Sequence, residues 1–206
     1  MIIKHINIIG AGGHTRSSLN LLKQTFKNTL FEIYDKNYTS SKIEYIDNIK
    51  IIELKENIPN KEIIFLSIGN NKEREKLYLQ YNKQILDTNL FHTMSYKEDY
   101  IKIGKANQIF ALAYINSFVE IGDNNIINTS SILEHEVKIG NHNHISVGAK
   151  ICGRVKIGDR CMIGAGSTVI DKITICDDVT VGAGSIVIKD ILEPGVYIGT
   201  PAKKIK

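Results

Sequence analysis

Glu134-His135-Glu136 sets an imidazole between two carboxylates. Histidine is the side chain whose ordinary titration range lets it take and return a proton near neutral pH. An adjacent carboxylate can hold the ring in one tautomer and raise its basicity. The triplet therefore reads as a proton acceptor, His135, with an orienting acid, and the one-dimensional pattern leaves both Glu134 and Glu136 open for the second role. A polar histidine at a chain turn would give the same letters. His142 and His144 follow closely. The three histidines share no spacing that would stack them onto one zinc ion, so no metal site is expected. His142 reads as a solvent-exposed turn residue.

A second cluster lies near the amino terminus. Gly10-Ala11-Gly12-Gly13-His14 follows the apolar run His5-Ile6-Asn7-Ile8-Ile9. Gly10 and Gly12 fit the start of a dinucleotide fingerprint, but Thr15 stands where its third glycine belongs, so NAD binding is not supported. Such a turn still presents backbone N–H groups to an anion at a helix start; a plain tight turn is the alternative. Asp35 ends the next apolar run and is placed to contact a ribose or base, or simply to close a turn.

Two kinds of element must position these groups. Ile103, Ile109, Ile115, Ile121, Ile127, Leu133, Ile139, Ile145, Ile151, Ile157, Ile163, Val169, Ile175, Val181 and Val187 are all aliphatic at a strict six-residue spacing. Neither the 3.6-residue helix period nor the two-residue strand period produces this. It fits a solenoid with three short faces per coil, each turning one aliphatic inward. Fifteen such hexapeptides make about five coils, and Lys97 and Glu193 break the pattern at its two ends. Asn107, Asn125 and Asn143 are polar exceptions two residues before an inward aliphatic, where the other coils have small or β-branched residues.

Residues 1–88 lack this period. They alternate strand (5–9), helix (15–27), strand (31–35), strand (63–68) and helix (72–80), a Rossmann-like β-α-β unit. The expected organisation is an α/β domain over 1–88 followed by a β-helix over 89–206. The chain has 206 residues and a net charge of +4, spread along its length, which does not suggest nucleic acid. No run approaches a membrane span, and the start has no signal-peptide layout, so a cytoplasmic location is expected. Cys152, Cys161 and Cys176 form no CxxC pair and read as free, small buried thiols.

The whole pattern resembles the bacterial sugar acetyltransferases of the sialic acid O-acetyltransferase type. Within these it looks most like the N-acetyltransferases of UDP- or dTDP-linked 4-amino-4,6-dideoxy sugars, such as the bacillosamine-pathway enzyme. The matching segments are Gly10–His14, Ile68-Gly69-Asn70-Asn71 with Arg74, Asn128–Ser131, Glu134–Glu136, His144–Ala149 and the tail Gly195–Lys203. The resemblance implies a left-handed β-helix, a homotrimer with active sites between neighbouring prisms, and acetyl-CoA as a co-substrate, with no permanently bound cofactor. It implies His135 as base with Glu136 beside it, and His144, Gly153, Ala165 and Ala183 toward acetyl-CoA. Gly12, Gly13, His14, Asp35, Gly69, Asn70 and Asn128 would face the sugar nucleotide. Lys203 and Lys204 are open to CoA phosphate or to solvent alone. Lys36 stands where the family has its second acid, a departure at the base or ribose contact that points to a different nucleotide. A sialic acid O-acetyltransferase is the nearest alternative. A zinc hydratase on the same prism and a non-catalytic scaffold are the more distant ones.

Overall fold

The computed structural model describes residues 3–39, 43–55, 57–58 and 62–206. The chain divides into two compact units, Met1–Asp87 and Thr88–Lys206.

In the first unit, β1 (His5–Ile9), β2 (Leu30–Asp35), β3 (Tyr45–Ile46), β4 (Ile49–Glu53) and β5 (Ile64–Leu66) form one sheet in the order β3-β4-β2-β1-β5. β1 pairs in parallel with both β2 and β5, and only β3 runs antiparallel, to β4. β1 is buried because Ile6, Ile8 and Ile9 all face apolar neighbours, which is the continuous apolar run of a covered parallel strand. Two helices, α1 (Gly13–Thr25) and α2 (Asn71–Gln80), follow β1 and β5. Leu19, Leu21 and Leu22 give α1 its buried stripe. α1 starts and ends two residues earlier than the apolar spacing suggests, because glycine at 13 continues the turn directly into the helix. The β3–β4 hairpin has no counterpart in the sequence reading. It turns at Asp47 and Asn48, both at positive φ (50° and 64°), as a two-residue hairpin of matching twist requires.

The second unit is a three-sided parallel β-helix. Its first face stacks Leu90–Phe91, Gln108–Ile109, Ile126–Ile127, His144–Ile145, Met162–Ile163 and Val179–Val181. The second stacks Tyr96–Lys97 through Ile186–Val187, and the third Lys102–Ile103 through Thr174–Ile175. Every pairing among these strands links residues 18 apart, for example Ile127 with Ile145 and Leu133 with Ile151. All the repeat aliphatics from 109 to 187 are buried together in one core. The repeat does not stop at Lys97 as expected: Lys97 pairs in register with Ile115, and Leu90–Phe91 with Gln108–Ile109, adding most of a sixth coil. An end rung has no neighbour below it, so an inward aliphatic is not demanded there, and Lys97 is exposed.

Two side-chain ladders close the edge between the third and first faces. Asn125 N–H donates to Asn107 Oδ1 (2.8 Å), Asn143 N–H to Asn125 Oδ1 (2.8 Å) and Cys161 N–H to Asn143 Oδ1 (2.6 Å). These buried asparagines supply acceptors that the coil backbone otherwise lacks at its corners. Beside them, Asp123, Asn141, Asp159 and Asp177 each accept an N–H from the preceding coil at 2.7–2.9 Å. Glycine precedes three of the four ladder residues, Asp123, Asn141 and Asp159; a Cβ on Gly140 would lie 2.8 Å from Gly158 O and against the Asp159 carboxylate. Among the described residues no helix is long and apolar enough to cross a membrane.

Candidate active site

The first unit holds a cavity of about 350 Å³ at the carboxyl ends of β1, β2 and β5. In an open parallel sheet this crevice, where the chain turns from one side of β1 to the other, is the position for a ligand. Gly12, Gly13, His14, Asp35, Gly69 and Asn70, six of the residues expected at a sugar nucleotide, all line it. Gly12 caps α1 in an extended conformation, with no side chain spent on the cap and no acid in the first turn. The helix start is therefore left for an anion. Asp35 is committed to structure: its oxygens accept from Ala11 N–H and Asn37 N–H, both at 2.7 Å, pinning the glycine turn to the end of β2. Asn70 caps α2 through its side chain, accepting Glu73 N–H at 2.9 Å. Behind it the buried Arg74 donates to Ile68 O (3.0 Å) and Asn71 Oδ1 (3.0 Å), fixing the loop that forms one wall. Burial lowers its guanidinium pKa to about 9. Lys36, noted as a departure, lines the cavity and pairs with Glu73. Glu73 escaped the sequence reading, although its position three residues after a capping asparagine marks it as a first-turn acid.

In the second unit, His135 sits on the edge between the second and third faces and is exposed. Its Nδ1 meets Glu136 Oε2 at 3.1 Å. Glu134 instead accepts from Asn116 Nδ2 at 2.7 Å, one coil away. The choice the sequence left open is thus made by geometry: Glu136 orients the ring. With Nδ1–H donated to the carboxylate, Nε2 is the basic nitrogen. Gly153 lies one coil beyond His135, so close that a Cβ there would be 2.6 Å from both Cε1 and Nε2 of the imidazole. Among the described residues the Gly153 N–H has no acceptor. Asp171, another coil on, is bridged to Arg154 by two contacts of 3.1–3.2 Å.

His144 lies elsewhere, on the outer side of the first face, and is buried. Asn128 Nδ2 meets its Nε2 at 3.0 Å. Asn128 Oδ1 accepts Thr129 N–H, which fixes the amide so that its NH₂ points at the ring and makes His144 Nε2 an acceptor. Asn128 is thus tied to the His144 ring. Ala165 and Ala183 stack on the edge between the first and second faces, linked through Gly184 N–H to Ala165 O at 2.8 Å. The edge bearing His135 and Gly153 lies opposite the first face of a triangular prism. One chain therefore does not bring His135 and His144 together.

Three further expectations are adjusted. His142 is buried, not exposed, and its Nδ1 meets Asn124 Nδ2 at 2.8 Å, the side chain one coil earlier. Cys161 is the one fully buried thiol, and desolvation pushes its pKa up to about 12; Cys152 and Cys176 are only half-buried. Lys204 pairs with Glu193 at 2.9 Å, so the tail lysines are not both open to a phosphate.

The PglD N-terminal domain family matches residues 5–81, the unit with the cavity. Bacterial transferase hexapeptide repeats match residues 136–171, and the hexapeptide repeat of succinyl-transferase matches 154–189. Residues 5–81 are thus similar to a PglD-type domain, and residues 136–189 to hexapeptide transferase repeats. Among solved structures, a perosamine N-acetyltransferase from Caulobacter crescentus, in complex with CoA and GDP-perosamine, is 27% identical. It covers 99% of this chain and 98% of its own, with a TM-score of 0.88. The acetyltransferase domain of PglB from Neisseria gonorrhoeae (24% identity, 98% and 100% coverage, TM-score 0.85) shares the fold. So does WeeI from Acinetobacter baumannii (22%, 98% and 100%, TM-score 0.88). No curated protein matches the chain by sequence. Each of these three structures covers 98–99% of this chain, both units included.

Proposed function

We propose that the protein is an acetyl-CoA-dependent N-acetyltransferase acting on the amino group of a nucleotide-linked amino sugar. The observation that carries this reading is His135, exposed on a prism edge, tied through Nδ1 to Glu136 and lying against the Gly153 backbone. The solved relative from Caulobacter crescentus, a perosamine N-acetyltransferase bound to CoA and GDP-perosamine, supports the reaction class.

In this reading the sugar amine attacks the thioester carbonyl while its proton passes to His135 Nε2. Glu136 holds the ring and stabilises the imidazolium that forms. The Gly153 N–H is available to the carbonyl oxygen as it becomes negative. The tetrahedral intermediate then expels CoA as the thiolate, which regains a proton. The PglD-type domain holds the sugar nucleotide through Gly12, Gly13, His14, Gly69 and Asn70, with Asp35 pinning the glycine turn that faces it. The acetyl-CoA arm runs over the hexapeptide domain, with Ala165 and Ala183 beside the arm and His144 near the acetyl group. Since His135 and His144 occupy opposite sides of one prism, a shared site requires a second copy, and a homotrimer is the assembly proposed. A cytoplasmic location is part of this proposal, because acetyl-CoA and nucleotide sugars are cytoplasmic metabolites.

The test offers purified protein acetyl-CoA with GDP-, UDP- and dTDP-linked 4-amino sugars and with sialic acid, following CoA release and product mass. Acetylation of a nucleotide-linked amine, lost in His135→Ala, is expected. Acetylation of sialic acid alone would replace this reading with the O-acetyltransferase one.

A further inference from the structure

The cavity of the first unit has two chemically different ends. At one, the uncapped start of α1 offers N–H groups to a diphosphate. The other is defined by a neighbouring groove that shares Lys36, Leu54, Glu73 and Leu77 with the cavity, which puts these four residues together. Two leucines beside a paired ammonium and carboxylate make an apolar slot with one donor and one acceptor at its rim. Glu73 is free for that task. In a capping box the acid three residues after the cap turns back to the cap's own N–H. Here Asn70 caps α2 and the Glu73 carboxylate reaches Lys36 instead. Lys36 is 61% exposed and Glu73 34%. A pair so solvated adds little to stability, so exchanging its mutual contact for a ligand costs little.

We propose that Lys36 and Glu73 read the nucleobase of the sugar nucleotide, and that the base they select is guanine. This rests on the nucleotide-sugar reading above. Guanine presents a carbonyl at O6 beside two donors, N1–H and the 2-amino group. The Lys36 ammonium matches the first and the Glu73 carboxylate accepts both of the others, a bidentate, charge-assisted contact. Uracil and thymine offer a carbonyl and one N–H, but their next atom is a second carbonyl whose lone pairs would face the carboxylate. Adenine and cytosine turn an amino group toward the ammonium and a bare ring nitrogen toward the carboxylate. Only guanine complements both side chains in order. Asp35, the other charged group at the end of β2, is already satisfied by Ala11 and Asn37 N–H groups and does not compete.

The experiment measures binding of GDP, IDP, UDP, dTDP and ADP to the full-length protein by calorimetry. IDP is guanosine diphosphate without the 2-amino group. GDP is expected to bind tightest, with IDP weaker by roughly tenfold for one lost hydrogen bond to a charged acceptor. In Glu73→Gln the GDP affinity should fall by about tenfold or more and the preference over IDP should vanish. Lys36→Met should weaken GDP and IDP alike and keep their ratio. Equal or tighter binding of UDP or dTDP overturns the proposal, as does an unchanged GDP/IDP ratio in Glu73→Gln. Either result leaves the acetyltransferase reading standing. Absence of binding by every nucleotide, together with no acetylation of any linked amino sugar, would instead sink that reading.

Discussion

On the edge between the third and first faces, Asp123, Asn141, Asp159 and Asp177 occupy one place in four successive coils. Each makes the same bond to the backbone of the coil before. On the edge between the second and third faces, the column with the same 18-residue spacing reads Ser117, His135, Gly153 and Asp171. The first column is uniform because every coil faces the same problem, an N–H that needs an acceptor at a corner. The second is uneven because the fold asks nothing specific of it, which leaves it open to chemistry. Where a repeat is strict, its side chains hold the array together; where the repeat lapses, the departures are candidates for function.

Substitutions on the two edges should therefore separate rate from stability. His135→Ala should lower kcat by about 10²–10⁴, the usual contribution of a general base, with the melting temperature unchanged. Loss of both together would mean that the uneven edge is structural after all. Gly153→Ala places a methyl against the imidazole and should cost on the order of tenfold to a hundredfold in kcat by misplacing the base. Gly140→Ala, an equally close approach on the uniform edge, should instead lower stability by about 1–3 kcal/mol. Asn125→Ala removes a buried side chain that accepts from Asn143 N–H and donates to Gly140 O, and should destabilise by about 1–3 kcal/mol in denaturant melts. The kcat of the folded fraction should not move. The smallest effect is at the thiols. With its pKa raised to about 12 by burial, Cys161 stays a protonated thiol at pH 8 and should resist alkylation that reaches the half-buried Cys152 and Cys176.

The β-helix was plain in the sequence because a six-residue aliphatic ladder has no competing explanation. Its extra coil was hidden, since Lys97 belongs to an end rung that tolerates a charge. The burial of His142 was equally hidden: its partner Asn124 is one coil earlier, a distance no local pattern reports. The asparagine ladder was visible as an 18-residue recurrence but read as an exception. In the PglD-type domain, the glycine turn and Asp35, expected at a sugar nucleotide, line the cavity. The hydrogen bonds that fix Asp35 join segments 24 residues apart and had no signature. Glu73 was missed because its ion pair with Lys36 joins segments far apart in the chain, which its place in α2 does not report.

The exact stacking of Gly153 beyond His135 sets a rule for length change. Eighteen residues added between coils away from this pair would restore every face to its direction and leave the base untouched. Six residues inserted between the two would turn everything downstream by a third of a revolution. The imidazole would stay where it is, and the glycine beneath it would be carried to another side of the prism.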